Sequence, residues 1–386
     1  MRIALITPGL DKLVDDIFYA FHELAKLNHD ILVLGAKHKM SQKGEVKEQI
    51  EYEENGRLSI YRIYESFSDM YKKSKKKEHY DVIYKLLKEF KPEIIFCCHE
   101  LNIELALLIK KDFNIPIVTF VEHSRNSSYP FLEKLKVIPR KLINDEKIIN
   151  EYLFLPLNHI YWKYMLRKSD AIITHSPLDK DKLKSLSKFG TPVYYVPWCN
   201  QMPDFTRKDK IAGRGIYIGS LSKFKNSWEF STTLPMLLKH DFIEEFFIIG
   251  PTFDNTDRLI KKLKTEFPKK IKWLRQLHRH EALSLLSSSF FAYTPAKRCG
   301  WGFIGDCWGT KTPLVVTHND YRFTNGKDAL LVSDIKTIST EIKKLYENPD
   351  LYKSIVNGGF ERYSDHHTAK YAASKYDDII KKTYGQ

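Results

Sequence analysis

Cysteine is scarce: five occur in 386 residues (Cys97, Cys98, Cys199, Cys299 and Cys307), with no C-x-x-C pair among them. An odd, sparse set excludes a disulfide framework and gives no zinc-ligand spacing. No apolar run approaches the ~18 to 20 residues that cross a bilayer. The opening MRIALITPGL has one basic residue and meets Pro8-Gly9 after a short apolar run, so it reads as a first strand rather than a signal peptide and predicts a cytoplasmic chain. With 17 Gly and 16 Pro, the chain is neither collagen-like nor of low complexity. G-x-G-x-x-G and G-x-x-x-x-G-K-[ST] are both missing. Dehydrogenase and P-loop nucleotidase readings lose their support with them.

What is present is length and positive charge. Hydrophobic residues make up 43% and charged residues 28% of a chain long enough for two globular domains. Lys plus Arg number 62 against 48 Asp plus Glu, a net charge of +14, which predicts an anionic partner: nucleic acid, anionic lipid or a charged small substrate. The run YKKSKKKEH at 71–79 reads as a solvated helix face or a phosphate contact. Between 125 and 167 a helical insertion mixes aromatics (Tyr129, Phe131, Tyr152, Phe154, Tyr161, Trp162, Tyr164) with cations (Arg140, Lys141, Lys163, Arg167). That mixture suits helix packing, an acceptor groove or a peripheral membrane contact.

Apolar runs alternate with helical periodicity. RIALIT (2–7) is followed by Leu13, Val14, Ile17, Phe21 and Leu24 at helical spacing, then by ILVLG (31–35). EIIFCC (93–98), PIVTFV (116–121), DAIITHS (170–176) and VYYVPW (193–198) continue the series. After a polar stretch near 202–213 it restarts with GIYIGS (215–220), EFFIIGP (245–251), IKWL (271–274), FFAYTP (290–295) and PLVVTH (313–318). This predicts two doubly wound α/β domains, Rossmann-like and facing across a cleft, with ligands at the carboxyl ends of the strands. The expected partition is 1–205, then 206–365, with residues 366–386 as a helix buttressing the interdomain seam.

Chemistry-bearing residues gather at those strand ends. Gly219-Ser220-Leu221-Ser222-Lys223-Phe224-Lys225-Asn226 follows the first strand of the second half. Pro295-Ala296-Lys297-Arg298-Cys299-Gly300-Trp301-Gly302-Phe303-Ile304-Gly305-Asp306 leads into Gly309-Thr310-Lys311-Thr312-Pro313. Together they resemble the G-R-x-x-x-x-K-G and P-S-x-x-E-G-F-G … E-A-x-A-x-G-x-P signatures of nucleotide-sugar glycosyltransferases of the retaining family-four type. The resemblance implies a GT-B fold with a UDP-sugar donor (UDP-glucose or a UDP-pentose) and no required cofactor. Lys225 matches the diphosphate-binding Lys, while Ser220 stands where the family has Arg and Cys299 where it has its first Glu. Asp306 falls at the second, ribose-binding Glu. Gly219, Ser220, Lys297, Gly302, Phe303, Ile304 and Asp306 are the implied donor-site residues, with Arg298 an added cation. His123, in VTFVEHSRN, matches a His that contacts the donor sugar, and Gly9 allows close backbone approach.

NHDILVLGAKHK (28–39), SDAIITHSPLD (169–179) and NQMPDF (200–205) locally resemble the DNA α-glucosyltransferases of T-even phages. That resemblance implies a hydroxymethylated base in phage DNA as acceptor and a monomer working in an infected cell. A bacterial enzyme building lipopolysaccharide, capsule or glycolipid on an anionic membrane surface is the alternative. A non-catalytic nucleotide-sugar binding module is the third reading.

Overall fold

A computed structural model describes residues 1–7, 16–37, 50–53, 55–66, 69–70, 76–121, 155–222, 225–253, 255–295 and 301–385. The chain divides into two compact units: Met1–Pro197 together with Ala372–Gln386, and Trp198–Tyr371.

In the first unit, eight strands form one sheet: β1 (Arg2–Ile6), β2 (Asp30–Ala36), β3 (Ile50–Glu53), β4 (Leu58–Tyr64), β5 (Ile94–Cys98), β6 (Ile117–Val121), β7 (Ala171–Thr174) and β8 (Val193–Tyr195). Their order is β3-β4-β2-β1-β5-β6-β7-β8. All neighbours pair in parallel except β3 and β4. The central strands are buried at every position from Ile3 to Ile6 and from Ile94 to Cys98. Unbroken apolar runs follow from having both sheet faces covered.

Among the described residues before the second unit, the helices are α1 (Asp16–Lys26), α2 (Lys77–Phe90), α3 (Ile103–Phe113), α4 (Leu155–Leu166) and α5 (Pro177–Ser187). α5 starts where Ser176 caps the Asp179 amide and Pro177 takes the first helical position. The hairpin of β3 and β4 is absent from the periodic reading, although Asn55 and Gly56, both at positive φ, mark its turn.

The second unit has a six-stranded sheet in the order β11-β10-β9-β12-β13-β14, with every pairing parallel. Its strands are β9 (Ile211–Ile218), β10 (Glu245–Ile249), β11 (Ile271–Leu274), β12 (Ser289–Thr294), β13 (Leu314–Val316) and β14 (Leu330–Leu331). Between them run α6 (Phe230–Leu238), α7 (Thr256–Glu266), α8 (Arg279–Ser288) and α9 (Trp301–Gly309), and after β14 come α10 (Ile338–Glu347) and α11 (Pro349–His366). Strand order reverses between β9 and β12, so the crevice for a ligand lies beyond the carboxyl ends of those two strands.

The last helix, α12 (Ala369–Tyr384), carries Tyr376 against Phe21, Phe96 and Phe120 of the first unit, with ring centroids 5.8, 5.3 and 6.5 Å apart. The chain thus returns to its first sheet at its end. The expected alternation of strand and helix is found in both units, and each is a Rossmann-like parallel α/β layer structure.

Candidate functional site

The loop after β9 is tied down at its base and across its middle. The Gly219 amide donates to Ile249 O at 2.8 Å and the Leu221 amide to Pro251 O at 2.8 Å. Gly219 (φ +150°) and Gly250 (φ +139°) pack backbone to backbone, and a Cβ on Gly250 would collide with the Gly219 carbonyl. Only glycine permits that approach. Farther on, the Ser222 amide donates to Ser227 Oγ at 3.0 Å, the Ser227 amide returns to Ser222 O at 3.1 Å, and the Lys225 amide donates to Ser222 Oγ at 3.2 Å. These bonds fix Lys225 beside the strand end. A Cβ on Gly219 would lie 3.7 Å from Lys225 Nζ. The carbonyl of Ser220 accepts the Tyr217 hydroxyl at 3.0 Å.

Glu229 is the hub of the same crevice. Its Oε1 accepts the Tyr293 hydroxyl at 2.8 Å and the Thr317 hydroxyl, while Oε2 accepts Asn226 Nδ2 at 2.8 Å and His318 Nε2 at 3.1 Å. Burial by itself pushes this carboxyl up. The hydrogen bonds from His318, Thr317 and Tyr293 outweigh that cost and hold it below its ordinary value. Asn226, at φ +57°, also donates to Pro295 O at 3.2 Å. One carboxylate therefore joins the turn after Lys225 to the ends of β12 and β13. Neither Glu229 nor His318 stands out in the sequence. The available signal is position alone, His318 lying two residues past β13.

The segment Trp301–Gly309 is helical although it contains Gly302, Gly305 and Gly309. The side chains of Trp301, Phe303, Ile304, Cys307 and Trp308 are all buried, and that packing overrides the helix-weakening glycines. Phe303 meets Tyr217 edge to face at 5.4 Å. Gly302 and Gly305 face Asn200: Asn200 Nδ2 donates to Gly302 O at 2.7 Å, and a Cβ on Gly305 would overlap the Asn200 amide. Trp301, Gly302, Phe303 and Ile304 are the first described residues of α9.

Asp306 lies inside α9. Arg279 grips it with Nη1 on Oδ2 at 3.0 Å and Nη2 on Oδ1 at 2.8 Å, and Asn200 Nδ2 adds a contact at 3.4 Å. Burial raises the Asp306 carboxyl, and Arg279 and Asn200 oppose that rise. Both oxygens are thus engaged within the unit, a pairing the sequence does not reveal.

Gly9, His123, Lys297 and Arg298 lie outside the described residues, as do most of the 125–167 insertion and Tyr71 through Lys75 of the lysine run. In the first unit the strand-end residue that stands out is His99. It follows β5 at φ +82° and donates its amide to Phe120 O at 3.0 Å. A non-glycine residue in that backbone region at a strand end marks a candidate functional position. Among the described residues no cluster of His, Cys, Asp or Glu has the arrangement of a metal site, and no helix is long and apolar enough to cross a membrane.

No protein-family model matches the chain, and no curated protein does. Solved structures do. Sucrose-phosphate synthase from Thermosynechococcus elongatus superposes with a TM-score of 0.74 at 14% identity, covering 100% of this chain and 99% of that one. An α,α-trehalose-phosphate synthase (UDP-forming) from Burkholderia vietnamiensis gives 0.68 at 12% identity, with 100% and 99% covered. HepE from Anabaena, solved with UDP-glucose, gives 0.65 at 10% identity, with 99% and 100% covered. Identities this low establish architecture alone: the chain has the GT-B fold, two Rossmann-like α/β units.

Proposed function

We propose that this chain is a glycosyltransferase that takes a sugar from a UDP-sugar and passes it to the hydroxyl of a hydroxymethylated DNA base. The observation that carries the donor half is Lys225, fixed by the loop bonds of Ser222 and Ser227 at the β9/β12 switch point. Proteins of the same fold have been solved with UDP and with UDP-glucose. The acceptor half is supported by the charge of +14 and by the three short phage-like phrases.

In the transfer, the bond from the sugar's anomeric carbon to the diphosphate breaks, and the acceptor oxygen bonds to that carbon. The acceptor's proton goes to a departing phosphate oxygen, so UDP carries away the electron pair and the proton. Lys225 and the amides of Gly302, Phe303 and Ile304 stabilise the negative charge that builds on the leaving group. Lys297 and Arg298 add cations to that role, and His123 contacts the sugar. Glu229 already accepts four hydrogen bonds, which fills a carboxylate's acceptor sites and removes it as nucleophile or base. Front-side attack with retention suits such a crevice. Asp306 accepts one ribose hydroxyl through the single Oδ2 lone pair that Arg279 leaves open.

An anionic sugar phosphate is a second acceptor class, favoured by the sucrose-phosphate and trehalose-phosphate synthases among the structural neighbours. The deciding experiment measures UDP release from a panel of UDP-sugars with hydroxymethylated DNA, plain DNA, sugar phosphates or a lipid-linked glycan. Turnover confined to hydroxymethylated DNA supports the reading. Turnover with a sugar phosphate or glycan and none with DNA overturns the acceptor and keeps the donor. Binding of a UDP-sugar without turnover on any acceptor indicates a binding module.

A further inference from the structure

We propose that His318, held by Glu229, is a second cation of the diphosphate site, a proposal that rests on reading the β9/β12 crevice as the UDP-sugar site. Asn226 Nδ2 has two hydrogens and three neighbours: Glu229 Oε2 at 2.8 Å, Pro295 O at 3.2 Å and His318 Nε2 at 3.3 Å. The two oxygens are the nearer acceptors and take both hydrogens. His318 Nε2, 3.1 Å from the same carboxylate oxygen, is then a donor to Glu229. That commits Nε2 to Glu229 and leaves Nδ1, which pairs with nothing among the described residues, as the atom that can reach a ligand. The His318 side chain is 24% exposed, against 7% for Glu229, so the carboxylate is enclosed and the ring reaches solvent.

Placement points the same way. His318 stands just beyond β13, next in the sheet to β12 at the switch point, and Glu229 links it to Asn226, the residue that follows Lys225. The described part of the β9 loop brings one cation, Lys225, whereas a diphosphate departs with more than one negative charge. An imidazolium donates from both nitrogens, so His318 can hold Glu229 with one and a phosphate oxygen with the other. Glu229 is then a positioning residue. Its four donors come from the Lys225 turn, β12 and the end of β13, so one buried charge sets the ring and the loop together.

The test titrates UDP, uridine and inorganic pyrophosphate into the wild-type protein and into His318→Gln and His318→Lys by calorimetry. A charge-assisted hydrogen bond lost to a neutral side chain weakens UDP binding about tenfold to a hundredfold. The expected pattern is that loss in His318→Gln with uridine affinity unchanged, and recovery of most of the UDP affinity in His318→Lys. Equal UDP affinity in wild type and His318→Gln overturns the proposal and leaves the donor reading standing. Parallel loss of UDP and uridine also overturns it, because a structural role alone produces that pattern. If wild type binds pyrophosphate but not UDP, and His318→Gln loses pyrophosphate, His318 is an anion ligand and the UDP-sugar reading alone fails. Binding of none of the three probes overturns both.

Discussion

Lys225 and Gly219 are legible in the sequence because the motif that carries them is local, running from the end of β9 to the following turn. Replacing Lys225 by Ala removes one charge-assisted contact. UDP affinity is expected to fall about tenfold or more, with uridine affinity held, as calorimetry would show. Gly250 is not legible, since nothing in the neighbouring IIG or PTF announces that the Gly219 carbonyl lies where a Cβ would be. Gly250→Ala is expected to cost about 1 to 3 kcal/mol in chemical denaturation through strain and the displaced loop, and to weaken UDP binding as Lys225 shifts.

Glu229 and His318 are 89 residues apart in sequence and meet only because β12 brings β9 and β13 to its two sides. No local pattern can announce such a pair. The same holds for Arg279 and Asp306, 27 residues apart. Arg279 is partly exposed while Asp306 is enclosed, so Arg279→Met leaves a carboxylate without its cation. The expected loss is about 2 to 3 kcal/mol after discounting for exposure, read as a lower denaturation midpoint.

Among whole elements, the strands buried on both faces are the most readable, because a continuous apolar run as short as IIFCC fits a strand covered on both sides and is too brief for a buried helix. Bounds shift by a few residues, as with β9, which begins at Ile211 rather than Gly215. The β3 and β4 hairpin escapes because β4 alternates buried with half-buried residues and ends in the buried Tyr64 beyond an Arg. Helix α9 is not announced by its sequence, since Gly302, Gly305 and Gly309 weaken helix propensity and only the burial of Trp301, Phe303, Ile304, Cys307 and Trp308 makes it a helix.

The closing helix is visible from Ala369, Ala372, Tyr376, Ile379 and Ile380 on one side, but its aromatic partners in the first unit are not. Tyr376 sits among Phe21, Phe96 and Phe120. Tyr376→Ala is expected to cost about 3 to 5 kcal/mol, the usual loss for a large buried aromatic, and to destabilise the first unit while the second keeps its own transition in calorimetric melting.

For the molecule as a whole, pH acts through a buried histidine. His367, enclosed against Trp301 and Trp308 and bonded through Nδ1 to Trp198 O at 2.9 Å, is pushed by burial from 6.5 down to about 3. The unfolded chain therefore takes up a proton below pH 6.5 that the native chain refuses until about pH 3. Stability is lost as pH falls through that window, by about 1.4 kcal/mol per pH unit for one proton. His367→Gln is expected to reduce the slope by that amount. The charge of +14 also acts on the molecule as a whole, and on the DNA-acceptor reading affinity for DNA falls steeply with added salt as counterions are released.

Every role proposed for the second unit depends on its strand-end crevice holding the UDP-sugar. Photolabelling with an azido-UDP-glucose, followed by peptide mapping, probes that placement without presupposing an acceptor. Label is expected within residues 219–229, 250–253, 274–279 and 295–320, suppressed by excess unlabelled UDP. Label that UDP does not suppress, or label confined to the first unit, would put the donor elsewhere and overturn the assignment of the crevice.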